Sequence, residues 1–97
     1  GQAYEAWDRE LNKVYKFLMS ELSDNQKTRL RNEERAWLKR KDKEMDKAAE
    51  EMAMGRDENG ELVGCGTGCG HAERAMNIEM TKERTIELAR MYDELHK

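Results

Sequence analysis

The sequence has 97 residues, of which 40% are charged, and its formal net charge at pH 7 is −3. A chain of this length forms one small domain, here residues 1–97, and its mixture of both charge signs excludes a basic nucleic-acid-binding surface. The apolar residues are few but periodic, which excludes disorder. No apolar run approaches the ~20 residues that span a bilayer.

The first predicted element is an amphipathic helix from Ala3 to Leu22. Its apolar residues recur at intervals of three and four, as on one face of an α-helix. They are Tyr4, Trp7, Leu11, Val14, Tyr15, Leu18 and Leu22. The following stretch SDNQ resembles a capping box, in which Ser23 accepts a backbone hydrogen bond and Gln26 reaches back to the cap. A second helix is therefore expected to begin there, after a tight turn.

Two further helices complete the predicted fold. The second is expected to run to about Met54 and to stop at Gly55, with an inner stripe of Leu30, Trp37, Leu38, Met45, Ala48, Ala49 and Met52. The third is expected from about His71 to the end of the sequence, with an inner face of Met76, Met80, Ile86, Leu88, Met91, Tyr92 and Leu95. This pattern predicts an all-α fold, an antiparallel three-helix bundle with a long loop between helices two and three.

Two charged residues are candidates for a contact between helices. Asp42 lies near the inner stripe of the second helix, and Arg84 lies one turn before Leu88 on the third. We expect them to form a partly buried ion pair that sets the helix register. The alternative is that they belong to a charged binding patch.

The loop between helices two and three contains six of the seven glycines, and its ENGELVG part favours a small hairpin. Gly66 and Gly68 allow the backbone to fold tightly enough to join Cys65 to Cys69. We interpret these cysteines as a disulfide that clasps the loop. The bond would place Thr67 at an exposed apex, and it is typical of an oxidising compartment.

Two other interpretations of the cysteines remain open. Cys65, Cys69 and His71 could bind zinc, with His96 as a distant fourth ligand, although structural zinc sites use closer cysteine pairs and a second pair elsewhere. Cys69 could be a redox-active thiol near a helix N-terminus, although the thioredoxin spacing is absent. No set of side chains converges on a catalytic pocket. We therefore expect no enzyme, catalytic residue, metal or cofactor.

Three blocks of sequence together resemble a known family. They are WDRELNKVY (residues 7–15), ERAWLKRKD (residues 34–42) and MTKERTIEL (residues 80–88). They are similar, in order and spacing, to a bacterial family of small secreted helical domains named after the N-terminal domain of the mycobacterial lysozyme-inhibitor lipoprotein LprI. The resemblance covers nearly the whole chain. It implies a periplasmic or secreted protein of the cell envelope, with a removed signal and, in lipid-anchored members, an anchor before residue 1.

The resemblance also implies roles for particular residues. With Trp7 at the start of the first block, it marks core and helix-register positions at Leu11, Asn12, Trp37, Asp42 and Arg84. The family's arginine before the aspartate corresponds to Lys41, or is displaced to Arg40. The family's cysteines on helices two and three correspond to Met45 and Met76, so its usual disulfide between helices is absent. The two methionines are expected to fill that space.

The leading hypothesis is an exported, non-enzymatic binding protein that inhibits lysozyme through its loop. An acidic protein is steered toward a basic enzyme, and a rigid loop tip can enter the cleft. The expected contact residues are Asp57, Glu58, Glu61 and Thr67. The alternatives are a metal-binding or redox protein using Cys65, Cys69 and His71, and a structural module for another envelope protein, for which Phe17 and Met19 are isolated apolar candidates. Nucleic acid is not an expected partner.

Overall fold

The fold is an antiparallel bundle of three helices, seen in a computed structural model that describes residues 2–97. The helices are α1 (Gln2–Glu21), α2 (Asp24–Met52) and α3 (Gly68–Leu95), and a short hairpin of β1 (Gly55–Arg56) and β2 (Leu62–Val63) lies between α2 and α3. The all-α prediction is confirmed. Across residues 2–97, none of the helices combines the length and apolar character needed to cross a bilayer.

The turn between α1 and α2 is fixed by the capping box that the sequence predicts. Ser23 Oγ accepts a hydrogen bond from the Gln26 backbone N–H at 3.3 Å, and the Ser23 N–H donates to Gln26 Oε1 at 2.9 Å. These bonds satisfy N–H groups that have no partner inside the helix. The chain therefore reverses within two residues, and α2 runs back beside α1.

The third helix is the centre of the bundle. Both α1 and α2 pack extensively against α3 and only slightly against each other. The buried face of α3 carries Thr81 and Thr85, whose short side chains let neighbouring helices approach closely. Their hydroxyls are satisfied within the helix, because Thr85 Oγ1 donates to the Thr81 carbonyl oxygen at 2.7 Å and Thr81 Oγ1 donates to Asn77 Oδ1 at 3.3 Å. These threonines are not on the inner face predicted for the third helix.

The hydrophobic core draws on all three helices. Leu11 and Leu18 of α1, Leu30 and Trp37 of α2, and Leu88 of α3 form one buried cluster. Each such side chain contributes roughly 1.5–3 kcal/mol on burial. Partly buried residues surround this cluster: Val14, Tyr15, Met19, Leu22, Met80, Met91 and Tyr92. Met19 therefore belongs to the core margin and not to an outer patch, whereas Phe17 is exposed.

Four residues predicted on the inner faces are exposed: Leu38, Met52, Ile86 and Leu95. Leu38 follows the buried Trp37 and so points about 100° further round the helix. Ile86 follows the buried Thr85 and is displaced in the same way. The buried faces also contain polar side chains, since Lys41, Arg84 and Thr85 are buried. The inner faces predicted from apolar residues alone are therefore wider than the faces that are buried.

The ends of α2 and α3 also differ from the predicted ends. The helix α2 stops at Met52, before Gly55, because Ala53 is already extended at φ −88° and ψ 158°. The chain then enters β1 directly. The helix α3 begins at Gly68, three residues before His71. The hairpin begins before the ENGELVG stretch, since Gly55 pairs with Val63 and Arg56 with Leu62.

Candidate functional site

The segment between α2 and α3, residues 53–67, is an ordered structure that we call the clasped loop. Its hairpin is extended by a hydrogen bond from the Met54 N–H to the Val63 carbonyl oxygen at 2.8 Å. At the tip, the Gly60 N–H donates to the Asp57 carbonyl oxygen at 3.0 Å. Gly60 has a φ of +80°, a conformation that residues with a side chain rarely adopt. The NG turn signal of the sequence therefore marks the real turn.

Asp57, an expected contact residue, has a structural task at this tip. Its Oδ1 accepts hydrogen bonds from the backbone N–H groups of Asn59 and Glu61, both at 2.9 Å. Aspartate side chains commonly stabilise turns in this way. Asp57 is exposed, as are Glu58, Glu61 and Thr67. Glu58 and Glu61 make no side-chain hydrogen bond within the described part of the chain, so their carboxylates remain accessible to a partner.

Arg56 fastens the hairpin to α2. Its guanidinium donates to the Gly60 carbonyl oxygen at 2.6 Å and to the carboxylate of Glu50, and it lies 3.6 Å from Asp46 Oδ1. The hydrogen bond to Glu50 is the main reason that the pKa of Arg56 is raised above its ordinary value, against the opposing effect of desolvation. One side chain thus joins the turn, the hairpin and the helix.

The disulfide between Cys65 and Cys69 closes the other end of the loop. The two Cα atoms lie 5.6 Å apart, as the disulfide interpretation requires. Gly66, at φ +51°, supplies the tight turn. Cys69 is buried and its Sγ lies 3.3 Å from the Ala49 carbonyl oxygen; this is a packing contact, because a disulfide sulfur has no proton to donate. The bond ties the end of the clasped loop to the first turn of α3, and the predicted clasp is confirmed.

The structure gives no support to a zinc site at Cys65, Cys69 and His71. Both sulfur atoms are bonded to each other, so neither offers the thiolate that binds zinc. His71 Nδ1 lies 3.1 Å from a guanidinium nitrogen of Arg74. Within residues 2–97, no three His, Cys, Asp or Glu side chains are grouped to hold a metal ion.

Acidic charge is concentrated at this end of the molecule. Residues 44–61 contain seven Asp and Glu and two Lys and Arg, a net charge of −5, whereas the whole chain has −3. The rest of the chain is therefore slightly basic, at +2. The net charge of −3 for the whole chain does not reveal that its acidic and basic residues are unevenly distributed. Such a local excess creates a field that attracts basic surfaces.

Sequence reasoning missed three exposed apolar residues in the same region, Met52, Met54 and Val63. Met52 was assigned to the core because it continues the stripe of α2, but it is the last residue of that helix and is exposed. A recess of about 390 Å³ lies beside Met54, lined by Glu50, Ala53, Met54, Gly55, Arg56 and Leu62. The loop region therefore combines exposed carboxylates, exposed apolar side chains and a recess.

The residues suggested by family resemblance divide into two groups. Leu11, Trp37 and Arg84 are buried and Trp7 is half-buried, as core positions should be. Asn12 and Asp42 are exposed, so the expectation that they lie in the core is wrong. Asn12 only approaches Asp8 on its own helix, with Nδ2 3.5 Å from Oδ2.

The expected ion pair between Asp42 and Arg84 is also wrong. Arg84 Nε donates to Glu34 Oε1 at 2.7 Å, and Arg84 Nη1 donates to Glu87 Oε1 at 2.5 Å. Glu34 lies more than two turns before Asp42 on α2 and takes its place. The inferred function of the contact, joining α2 to α3, is retained with a different partner.

Lys41 takes the inward position beside this pair, whereas Arg40 is exposed. The Lys41 ammonium lies 5.0 Å from the ring centroid of Trp37 and 5.7 Å from that of Tyr4. A cation over an aromatic face is attracted by the electron density of the ring. Lys41 thus bridges α1 and α2. Of the two residues that the resemblance sets against the family's arginine, Lys41 is the buried one.

The sequence was compared with models of protein families. The family described as lysozyme inhibitor LprI matches residues 1–88. The chain belongs to the LprI family. Comparisons with curated proteins and with solved structures gave no match.

The LprI match spans α1, α2, the clasped loop and most of α3. It confirms the resemblance carried by the three sequence blocks. Met45 and Met76, where the resemblance leads us to expect cysteines in other members, are both half-buried. Their contact with each other stays a prediction. The disulfide of this chain closes the loop locally, from Cys65 to Cys69 in the first turn of α3.

Proposed function

We propose that this protein is an exported bacterial binding protein, without enzymatic activity, that inhibits lysozyme through the clasped loop. The observation that carries the proposal is the match to the lysozyme inhibitor LprI family over residues 1–88. The contact residues that we propose are Glu58 and Glu61, on the turn held by Asp57, and Thr67, in the segment closed by the disulfide. The partner in this proposal is lysozyme, and no cofactor is needed.

The distribution of charge supports this partner. Lysozymes are often basic, and the net charge of −5 over residues 44–61 favours an encounter at the loop end. The two exposed carboxylates of Glu58 and Glu61 are available to pair with lysine and arginine side chains. Such pairs at an interface mainly accelerate association and orient the partner.

The rigidity of the loop supports binding in the same way. Arg56 fixes the hairpin to α2, and the disulfide fixes the other end to the start of α3. A loop that is already ordered loses less conformational entropy when it binds. The clasp therefore favours affinity without making a direct contact.

The same disulfide supports export. Disulfides persist in the periplasm and outside the cell, and they are rare in the cytosol. We propose a periplasmic or secreted location on this ground and on the family match. The metal or redox alternative is less well supported, since both sulfurs are used in the clasp.

The test is inhibition of lysozyme on bacterial cell walls, measured with the oxidised protein in molar excess. We expect the unmodified protein to inhibit and the Glu58→Lys/Glu61→Lys variant to lose most of this inhibition. The matched control is Glu5→Lys/Glu10→Lys, which makes the same charge change at exposed sites on α1 and should inhibit normally. Equal loss in both variants would show that only net charge matters, and no inhibition by the unmodified protein would refute the proposed function.

A further inference from the structure

The clasped-loop end of the bundle also exposes large apolar side chains, which are not among the proposed contact residues. Met54 is 86% exposed, Met52 is 54% exposed and Val63 is 40% exposed. All three belong to the loop or to the last residue of α2. Small soluble domains seldom group large apolar side chains on their surface, and such groups mark interaction sites.

Met54 is held in place although its side chain is exposed. Its backbone N–H is bonded to the Val63 carbonyl oxygen, and its side chain lies over Gly64. A Cβ atom at residue 64 would come within 2.4 Å of Met54 Cγ. Gly64 also has a φ of +81°, which residues with a side chain rarely adopt. The glycine thus supports a methionine that projects from the surface.

Acidic side chains are exposed on the same part of the chain as these apolar residues. Those on the end of α2 and on the loop are Glu50, Glu51, Asp57, Glu58 and Glu61. Protein interfaces usually combine an apolar centre with a polar rim, and a few central side chains supply most of the binding energy. The loop end supplies both kinds of side chain.

The chemistry of a lysozyme cleft favours a neutral residue at the centre. A glycosidase cleft holds two catalytic carboxylates, so a loop carboxylate that entered it would meet like charge. A methionine carries no charge and adapts to irregular apolar surfaces. The carboxylates of the loop are better placed against the basic surface outside the cleft.

We propose that Met54, flanked by Met52 and Val63, is the anchor that enters an apolar recess of the partner, while the acidic rim pairs with lysine and arginine side chains around that recess. The partner is a basic protein with such a recess, here lysozyme, and the inference rests on the proposed function. Charge complementarity selects this occupant over a second acidic copy. The anchor determines how long the complex lasts, and the rim determines how fast it forms.

The experiment measures association and dissociation rates of immobilised lysozyme with the oxidised protein at low and high salt. We expect Met54→Gln to weaken binding at least tenfold, mainly through faster dissociation, with an unchanged salt dependence. Glu58→Lys should instead slow association and reduce its salt dependence. The matched control is Leu38→Gln, at an exposed leucine of α2 that lies about 20 Å along the helix from Met52; it should bind normally.

Each outcome decides the inference. If the unmodified protein binds and Met54→Gln binds equally well, the anchor is refuted while the proposed function stands. If the unmodified protein does not bind lysozyme, the proposed function fails and the inference fails with it. If sedimentation shows a dimer that Met54→Gln abolishes, the occupant is a second copy and the inference is overturned. Unchanged thermal unfolding of Met54→Gln verifies that any loss of binding is local.

Discussion

Arg84 of α3 and Glu34 of α2 form a partly buried ion pair, with Nε 2.7 Å from Oε1, between residues fifty positions apart in the sequence. Arg84 is 4% exposed, and its Nη2 is buried without a hydrogen-bond partner among the described residues. Loss of Glu34 would leave this buried guanidinium with only Glu87, whose side chain is exposed. The pair therefore constrains how α2 and α3 align.

The first prediction concerns this pair. Glu34→Gln keeps a hydrogen-bond acceptor but removes the negative charge, and we expect it to lower the free energy of unfolding by about 2 kcal/mol. Urea unfolding followed by circular dichroism measures the change. The control is Asp42→Asn at the partner that the sequence suggested, which is exposed and should change stability by less than about 0.5 kcal/mol. A larger effect at Asp42 would show that the ion pair is misassigned.

The second prediction tests the inner face of α3. Leu88 is fully buried between helices, so Leu88→Ala should cost about 2–5 kcal/mol. Ile86, only two residues away, is exposed, and Ile86→Ala should cost less than about 1 kcal/mol. Thermal unfolding of the two variants under identical conditions compares them directly. Similar costs would contradict the burial of Leu88 and the exposure of Ile86.

The third prediction compares two glycines of the loop region. Gly64→Ala introduces a side chain at a φ of +81° and displaces Met54, so it should lower stability by about 1–2 kcal/mol. Gly68→Ala adds a Cβ atom that meets Met52 Cε at an ordinary 3.5 Å. It should be neutral or stabilise by up to about 1 kcal/mol, because alanine favours the helix. Melting temperatures decide the comparison, and a stabilising Gly64→Ala would contradict the account of Met54.

The fourth prediction concerns the disulfide. Removing it with Cys65→Ala/Cys69→Ala should lower the free energy of unfolding by about 2 kcal/mol, as expected for closure of so short a loop. Amide hydrogen exchange should accelerate most in residues 54–70 and least around Leu18 and Leu88. Reductant serves as the control, since it should destabilise the unmodified protein and leave the double variant unchanged. Equal acceleration along the whole chain would show that the clasp does not act locally.

Local features were predictable from the sequence because their causes lie within a few residues. The capping box needs only Ser23 and Gln26, and the disulfide needs two cysteines with flexible glycines between them. The helical stripe of α1 was also predicted nearly to the residue. These interactions do not depend on how the helices pack.

The features that escaped prediction depend on the relative positions of whole helices. Glu34 and Asp42 both lie near the inner stripe of α2, and only the alignment with α3 selects which of them meets Arg84. Met54 escaped because its exposure depends on α2 ending at Met52. The exposed apolar residues of the candidate site could therefore not be predicted from the sequence, whereas its acidic residues could.

The central place of α3 also has a consequence for the order of synthesis. The two helices made first, α1 and α2, pack mainly against the helix that follows them. A nascent chain that ends before α3 therefore lacks the helix against which α1 and α2 pack, and its core is incomplete. Folding must wait until translation has passed the clasped loop and delivered α3. This delay suits the proposed export, because the chain stays unfolded while it is still being made.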